Sequence, residues 1–154
     1  MQLSEILKPG AVKVVSNLTS KKRVFQDLGE IAAGVYDLNA SEAADALQER
    51  ETLGPTGVGQ GVALPHARIA GVDQVVGVFL KLEKPLDFNS VDRQPVDLVF
   101  ALFAPLDSGV EHLKALALVS RTLRDPGVCA KLRANGDAST LHAVLTEAPG
   151  IKAA

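Results

Sequence analysis

Apolar positions along the chain follow two rhythms. Val24, Phe25, Leu28, Ile31, Ala32 and Val35 recur every three or four residues. That spacing predicts a helix with one buried face; Ser20 stands where its N-cap belongs and Gly34 lies near its end. Asn39 followed by Glu42 has the form of a capping box. The helix it opens carries Ala43, Ala46, Leu47 and Arg50 and breaks at Gly54-Pro55. Elsewhere the apolar positions are contiguous. The runs from Val75 to Leu82 and from Val96 to Ala104 are long enough, and apolar enough, for strands covered on both faces. Ala11 to Val15 and Val62 to Leu64 predict shorter strands, and Leu3, Ile6 and Leu7 form a cluster stopped by Pro9-Gly10. Lys84-Pro85 and Asp92-Arg93-Gln94-Pro95 mark turns.

The helical rhythm returns in the last third. Ser108-Gly109-Val110-Glu111 has the form of a second capping box, followed by Leu113, Leu116, Ala117, Ser120 and Leu123. Asp125-Pro126 supplies a cap and an N1 proline for a helix carrying Val128, Cys129 and Leu132. Ser139 is the predicted cap of a last helix through Leu141 and Leu145, and Pro149-Gly150 the predicted end of the ordered chain. The order is one strand, two helices, three strands, three helices. Buried strands with helices at both ends of the sequence predict a three-layer α/β sandwich. No repeat or linker divides it, so one domain is expected over residues 1–150, with 151–154 as a tail.

Composition narrows the function classes. Lys plus Arg number 16 against 18 for Asp plus Glu, a net charge of −2, which gives no electrostatic reason to coat nucleic acid. Trp is absent and aromatics are 4%, which argues against binding by base or sugar stacking. The single cysteine, Cys129, permits no intrachain disulfide and reads as a small core residue. No secretory leader or membrane-length apolar run is evident, so a cytoplasmic location is expected.

The chemistry concentrates in residues 54–68, Gly-Pro-Thr-Gly-Val-Gly-Gln-Gly-Val-Ala-Leu-Pro-His-Ala-Arg. Thr56, Gly57, Gly59 and Gly61 read as a loop whose amides approach an anion closely, with His66 at its end. A neutral imidazole is a good nucleophile toward phosphorus near neutral pH; the plain alternative is a solvated loop histidine. His112, in the first turn of its helix, sits where the dipole disfavours imidazolium and attracts anions; otherwise it is a half-buried helix residue. Arg50 is suited to clamp phosphate oxygens or to pair with Glu51, and Arg68 adds local positive charge. His142 reads as a surface residue. Nucleotide motifs do not fit: Gln60 stands where a Walker lysine belongs, and Gly57-x-Gly59-x-Gly61 lacks dinucleotide spacing. No zinc-ligand spacing is present, and no metal or cofactor is expected.

The run Arg50 to Arg68 resembles the active-site motif of enzyme IIA domains of the bacterial phosphoenolpyruvate-dependent phosphotransferase system, fructose/mannitol class. Gln94-Pro-Val-Asp-Leu-Val-Phe-Ala-Leu-Phe-Ala-Pro, followed by His112-Leu-Lys-Ala-Leu, is most similar to the nitrogen-regulatory branch. The resemblance implies an α/β/α sandwich with a central mixed β-sheet. It implies that His66 accepts a phosphoryl group from an HPr-like phosphocarrier protein, with His112 and Arg50 beside it. For that branch it implies regulation of partners such as potassium-transport components or sensor kinases by phosphorylation state. A sugar-specific IIA passing phosphate to a separate IIB is the alternative, and a non-transferring binding module is an alternative of another class. Two positions depart from the usual motif: Pro55 replaces Ser or Thr, and Ala67 replaces Gly, a change that is tolerated unless a positive φ is needed there.

Overall fold

The computed structural model describes residues 1–147; the predicted stop at Pro149-Gly150 lies outside them. The elements run α1 (Leu3–Ile6), β1 (Val12–Val15), α2 (Lys21–Tyr36), α3 (Ala40–Thr52), β2 (Gly57–Gly59), β3 (Val62–Ala63), β4 (His66–Ile69), β5 (Val76–Leu86), β6 (Val96–Pro105), α4 (Val110–Leu123), α5 (Pro126–Ala134) and α6 (Ala138–Thr146). They form the three-layer α/β/α sandwich with a mixed sheet that the sequence predicts. Helices α2 and α3 pack as a pair, α2 against β5 and α3 against β4. Helices α4, α5 and α6 pack in succession, with α4 against β6 and α6 against β1.

The sheet runs β1-β5-β6-β3-β2, with β4 also on β6. β5 and β6 are antiparallel and form the centre; β1 is parallel to β5, while β3 and β4 are both parallel to β6. β3 and β4 are therefore two segments of one line along β6, interrupted at Leu64-Pro65. Proline lacks an N–H, so the ladder cannot continue through its nitrogen. Its carbonyl still accepts from Leu102 N at 3.0 Å. The central strands carry the core: Phe79, Leu80, Leu98, Phe100, Leu102 and Phe103 are buried. Gly29 lets α3 approach α2, because a Cβ there would lie 2.5 Å from the Ala40 carbonyl oxygen.

Ser20, Asn39 and Asp125 cap α2, α3 and α5 through their side chains, as expected. Two predicted caps are corrected. Gly109, not Ser108, occupies the N-cap of α4, and the buried Ser108 Oγ has no partner among the described residues. Asp137, not Ser139, caps α6 by accepting from Thr140 N at 3.0 Å. In both places a side chain with the right oxygen stood one or two residues from the true cap. His142 is not a free surface residue: it is half-buried, and its Nε2 lies 2.9 Å from the Leu7 carbonyl, tying α6 to α1. Cys129 is buried, as predicted. The strands β2 and β4 were not predicted, because glycines disguise the first and His-Ala-Arg-Ile is too short and polar to read as a strand.

Candidate active site

His66 opens β4 and is half-buried. Its Nδ1 lies 2.9 Å from the Leu64 carbonyl oxygen. A carbonyl can only accept, so Nδ1 carries the proton and Nε2 keeps its lone pair. The local chain explains this geometry. Leu64 N donates to the Thr56 carbonyl at 2.9 Å, and Pro65 precedes the ring, so the Leu64 carbonyl is fixed two residues before His66. Ala67 pairs with Phe103 within β4 and has no positive φ, so alanine fits where glycine is usual.

His112 is buried at 5% exposure in the first turn of α4, and its ring centroid is 5.4 Å from that of His66. Its Nδ1 is buried with no partner among the described residues. An orphaned buried polar atom costs about 1–3 kcal/mol, and natural proteins retain few of them. The pKa of His66 is pushed below the usual 6.5, chiefly by burial; the Leu64 carbonyl opposes the shift, Arg50 adds to it, Glu51 opposes it, and Arg68 adds to it. Burial likewise lowers His112, assisted by His66 and Arg68. Both rings are thus biased toward the neutral form, in a field to which two arginines contribute positive charge. That combination suits attack on an anionic phosphorus centre: a lone pair is available, and the surrounding charge favours the incoming oxygens.

The sign of the pH dependence follows. Only neutral imidazole attacks, and a depressed pKa leaves more of His66 neutral than of a free histidine at the same pH. Phosphoryl acceptance should therefore fall toward acid with its midpoint below 6.5. A rate profile against pH with its midpoint above 6.5 would contradict the burial argument.

Arg50, in the last turn of α3, donates from Nη1 to the Gly54 carbonyl at 3.0 Å and so braces the turn before Thr56. It does not pair with Glu51. Arg68 Nε donates to the Ser108 carbonyl at 2.9 Å, tying β4 to the segment that leads into α4. The predicted anion loop is corrected. Gly59, Gln60 and Gly61 have φ values of 101°, 57° and 80°, the left-handed backbone of a hairpin tip between β2 and β3. Gln60 N is taken by Asp92, and the Gln60 carbonyl by Arg133. On β6 the neighbours of Val62 and His66 are Leu98 and Leu102, four residues apart, which is ~13 Å at strand rise. The glycines at 59 and 61 thus serve the turn and do not join the histidine pair. Gly57 packs on Ser90 and Phe88, where a Cβ would lie 2.1 Å from Ser90 Oγ. Thr56 gives both its N–H and its hydroxyl to the buried carboxylate of Glu51, at 3.0 and 2.6 Å.

Glu51 was named from the sequence only as a surface partner for Arg50. It is 8% exposed and instead meets Lys21 Nζ at 2.8 Å, from the first turn of α2. The capped helix start at Ser20 is the only local signal that places Lys21 there.

Fold and site together define an α/β protein that presents a neutral, oriented histidine beside a second histidine and two arginines. The sequence matches, over residues 5–148, the family described as phosphoenolpyruvate-dependent sugar phosphotransferase system, EIIA 2. The chain belongs to this family, and is a IIA-type phosphotransfer component. A nitrogen regulatory protein of Bradyrhizobium diazoefficiens is 41% identical over 153 residues, covering 99% of this chain and 100% of the relative. The crystal structure of nitrogen regulatory protein IIA-Ntr from Neisseria meningitidis superposes with a TM-score of 0.85 at 35% identity, covering 93% of this chain and 98% of that one. A fructose-specific EIIA component of Haloferax volcanii is 36% identical over 121 residues, covering 79% of this chain and 77% of the relative.

Proposed function

We propose that His66 accepts a phosphoryl group at Nε2 from an HPr-like phosphocarrier, and that the phosphorylation state of this residue regulates partner proteins. The observation that carries this reading is the bond from His66 Nδ1 to the Leu64 carbonyl, which leaves Nε2 as the nucleophile. The Nε2 lone pair forms the new N–P bond as the carrier's bond to phosphorus breaks, and the electron pair returns to the carrier. The ring then bears positive charge, which the Leu64 carbonyl stabilises at Nδ1–H. His112 is a hydrogen-bond donor for the phosphoryl oxygens, and Arg50 and Arg68 supply positive field.

The rim suits protein docking. The end of α3 and the start of α4, which deliver Arg50 and His112, also expose Leu53, Leu106, Val110 and Leu113. Phosphate adds roughly two negative charges there, which changes the sign of the surface a partner meets. The identity to nitrogen regulatory proteins over almost the whole chain favours regulation of targets such as potassium-transport components or sensor kinases over sugar uptake. The fructose-specific relative supports the second reading, transfer to a separate IIB. Incubation of the chain with phosphorylated carrier, followed by a fructose or mannitol IIB, separates them. The regulatory reading predicts label retained on this chain; rapid passage to IIB would favour the sugar pathway. A chain that takes no label would instead be the binding module.

A further inference from the structure

The residues behind His66 form a connected set that the transfer step itself does not use. The Glu51 carboxylate, buried at the end of α3, accepts from Lys21 at 2.8 Å, from Thr56 N at 3.0 Å and from Thr56 Oγ1 at 2.6 Å. The Thr56 carbonyl accepts from Leu64 N at 2.9 Å, and the Leu64 carbonyl accepts from His66 Nδ1, also at 2.9 Å. Lys21 is itself held by the Asn89 side-chain oxygen at 3.1 Å and lies over the Phe88 ring. Five residues from three separate parts of the chain thus end on one imidazole proton.

We propose that Glu51 is a positioning residue for phosphoryl acceptance. By holding Thr56 at two points it fixes the strand edge that presents the Leu64 carbonyl, and so keeps His66 in the single tautomer with Nε2 free. This rests on the reading of His66 as acceptor. Without the carboxylate, the segment from Thr56 to Leu64 loses two charge-assisted bonds, and the carbonyl is no longer pinned opposite Nδ1. The imidazole then samples both tautomers, and in one of them the lone pair faces inward. A buried acid that served stability alone would have no reason to alter that tautomer.

The test uses the full chain, labelled with nitrogen-15, at a pH well above the histidine range. Long-range proton–nitrogen correlations read the His66 tautomer, and phosphoramidate, a small donor that needs no protein docking, reads the intrinsic acceptance rate. Wild type should show protonated Nδ1 alone. Glu51→Gln should show both tautomers and accept phosphate at least ~5-fold more slowly. Thr56→Val, which keeps the amide bond and loses the hydroxyl, should shift both readings the same way but less, and Thr56→Ser should restore them. Both readings must move together; a folded Glu51→Gln in which either stays at the wild-type value overturns the proposal. If Glu51→Gln does not fold, Thr56→Val decides by the same two readings. Should wild type take no phosphoryl group from either phosphoramidate or phosphorylated carrier, the acceptor reading fails and this proposal falls with it; normal acceptance by wild type with an unmoved Glu51→Gln overturns the proposal alone.

Discussion

Replacing His66 with alanine should reduce phosphoryl acceptance from a phosphorylated HPr-like carrier by at least ~1,000-fold, to background, because no other group in the site can take its role. His112 is the only other imidazole nearby, and it is 5% exposed, so its ring cannot meet a docked carrier as His66 does. A guanidinium group only donates and has no lone pair to offer. The fold should survive. His66 is half-buried and contributes one side-chain bond, to Leu64, a loss of about 1 kcal/mol. A folded His66→Ala chain that is labelled at the wild-type rate, measured with radiolabelled carrier, would refute the assignment.

The second large effect is on stability. Phe100→Ala should destabilise the chain by about 3–5 kcal/mol, which lowers the melting temperature by roughly 10 °C. Phe100 is fully buried in β6, with β5 on one side and the β3–β4 line on the other. Its ring meets that of Phe79 edge-on, with centroids 6.1 Å apart. Gly77, diagonally across on β5 and paired with Leu102, has no side chain; a Cβ there would come within 2.7 Å of the Phe100 ring. The ring thus fills the space left by glycine, and truncation opens a cavity that rigid strands on both sides cannot close. Urea unfolding gives the value directly, and a loss below ~1 kcal/mol would show that the sheet collapses around the gap.

The long elements were legible because their patterns are redundant. Val96 to Ala104 is apolar at almost every position, and α2 marks its period with six apolar positions between Val24 and Val35, so no single substitution obscures either. The histidine pair was legible through a shared motif and a helix start. Register and turn chemistry were not. Four glycines in eight positions look alike in a sequence, yet Gly59 and Gly61 supply positive φ at a hairpin tip, while Gly57 is pressed against Ser90. Only the pairing of β3 and β4 along β6 separates the tip from His66. Glu51 was obscured for a related reason. Its partners, Lys21 and Thr56, are thirty and five residues away, and packing of α2 on α3 brings the first of them into reach. A carboxylate beside an arginine in a sequence gives no sign that its bonds go elsewhere.

Nε2 of His66 is the atom proposed to carry the phosphoryl group. The most direct measurement is nitrogen–phosphorus coupling in the nitrogen-15-labelled chain after phosphorylation by the carrier. The geometry predicts one phosphohistidine, with its one-bond coupling at Nε2 of His66 and the proton retained on Nδ1. Phosphorus bonded to Nδ1 of His66, or to His112 or His142 instead, would contradict it.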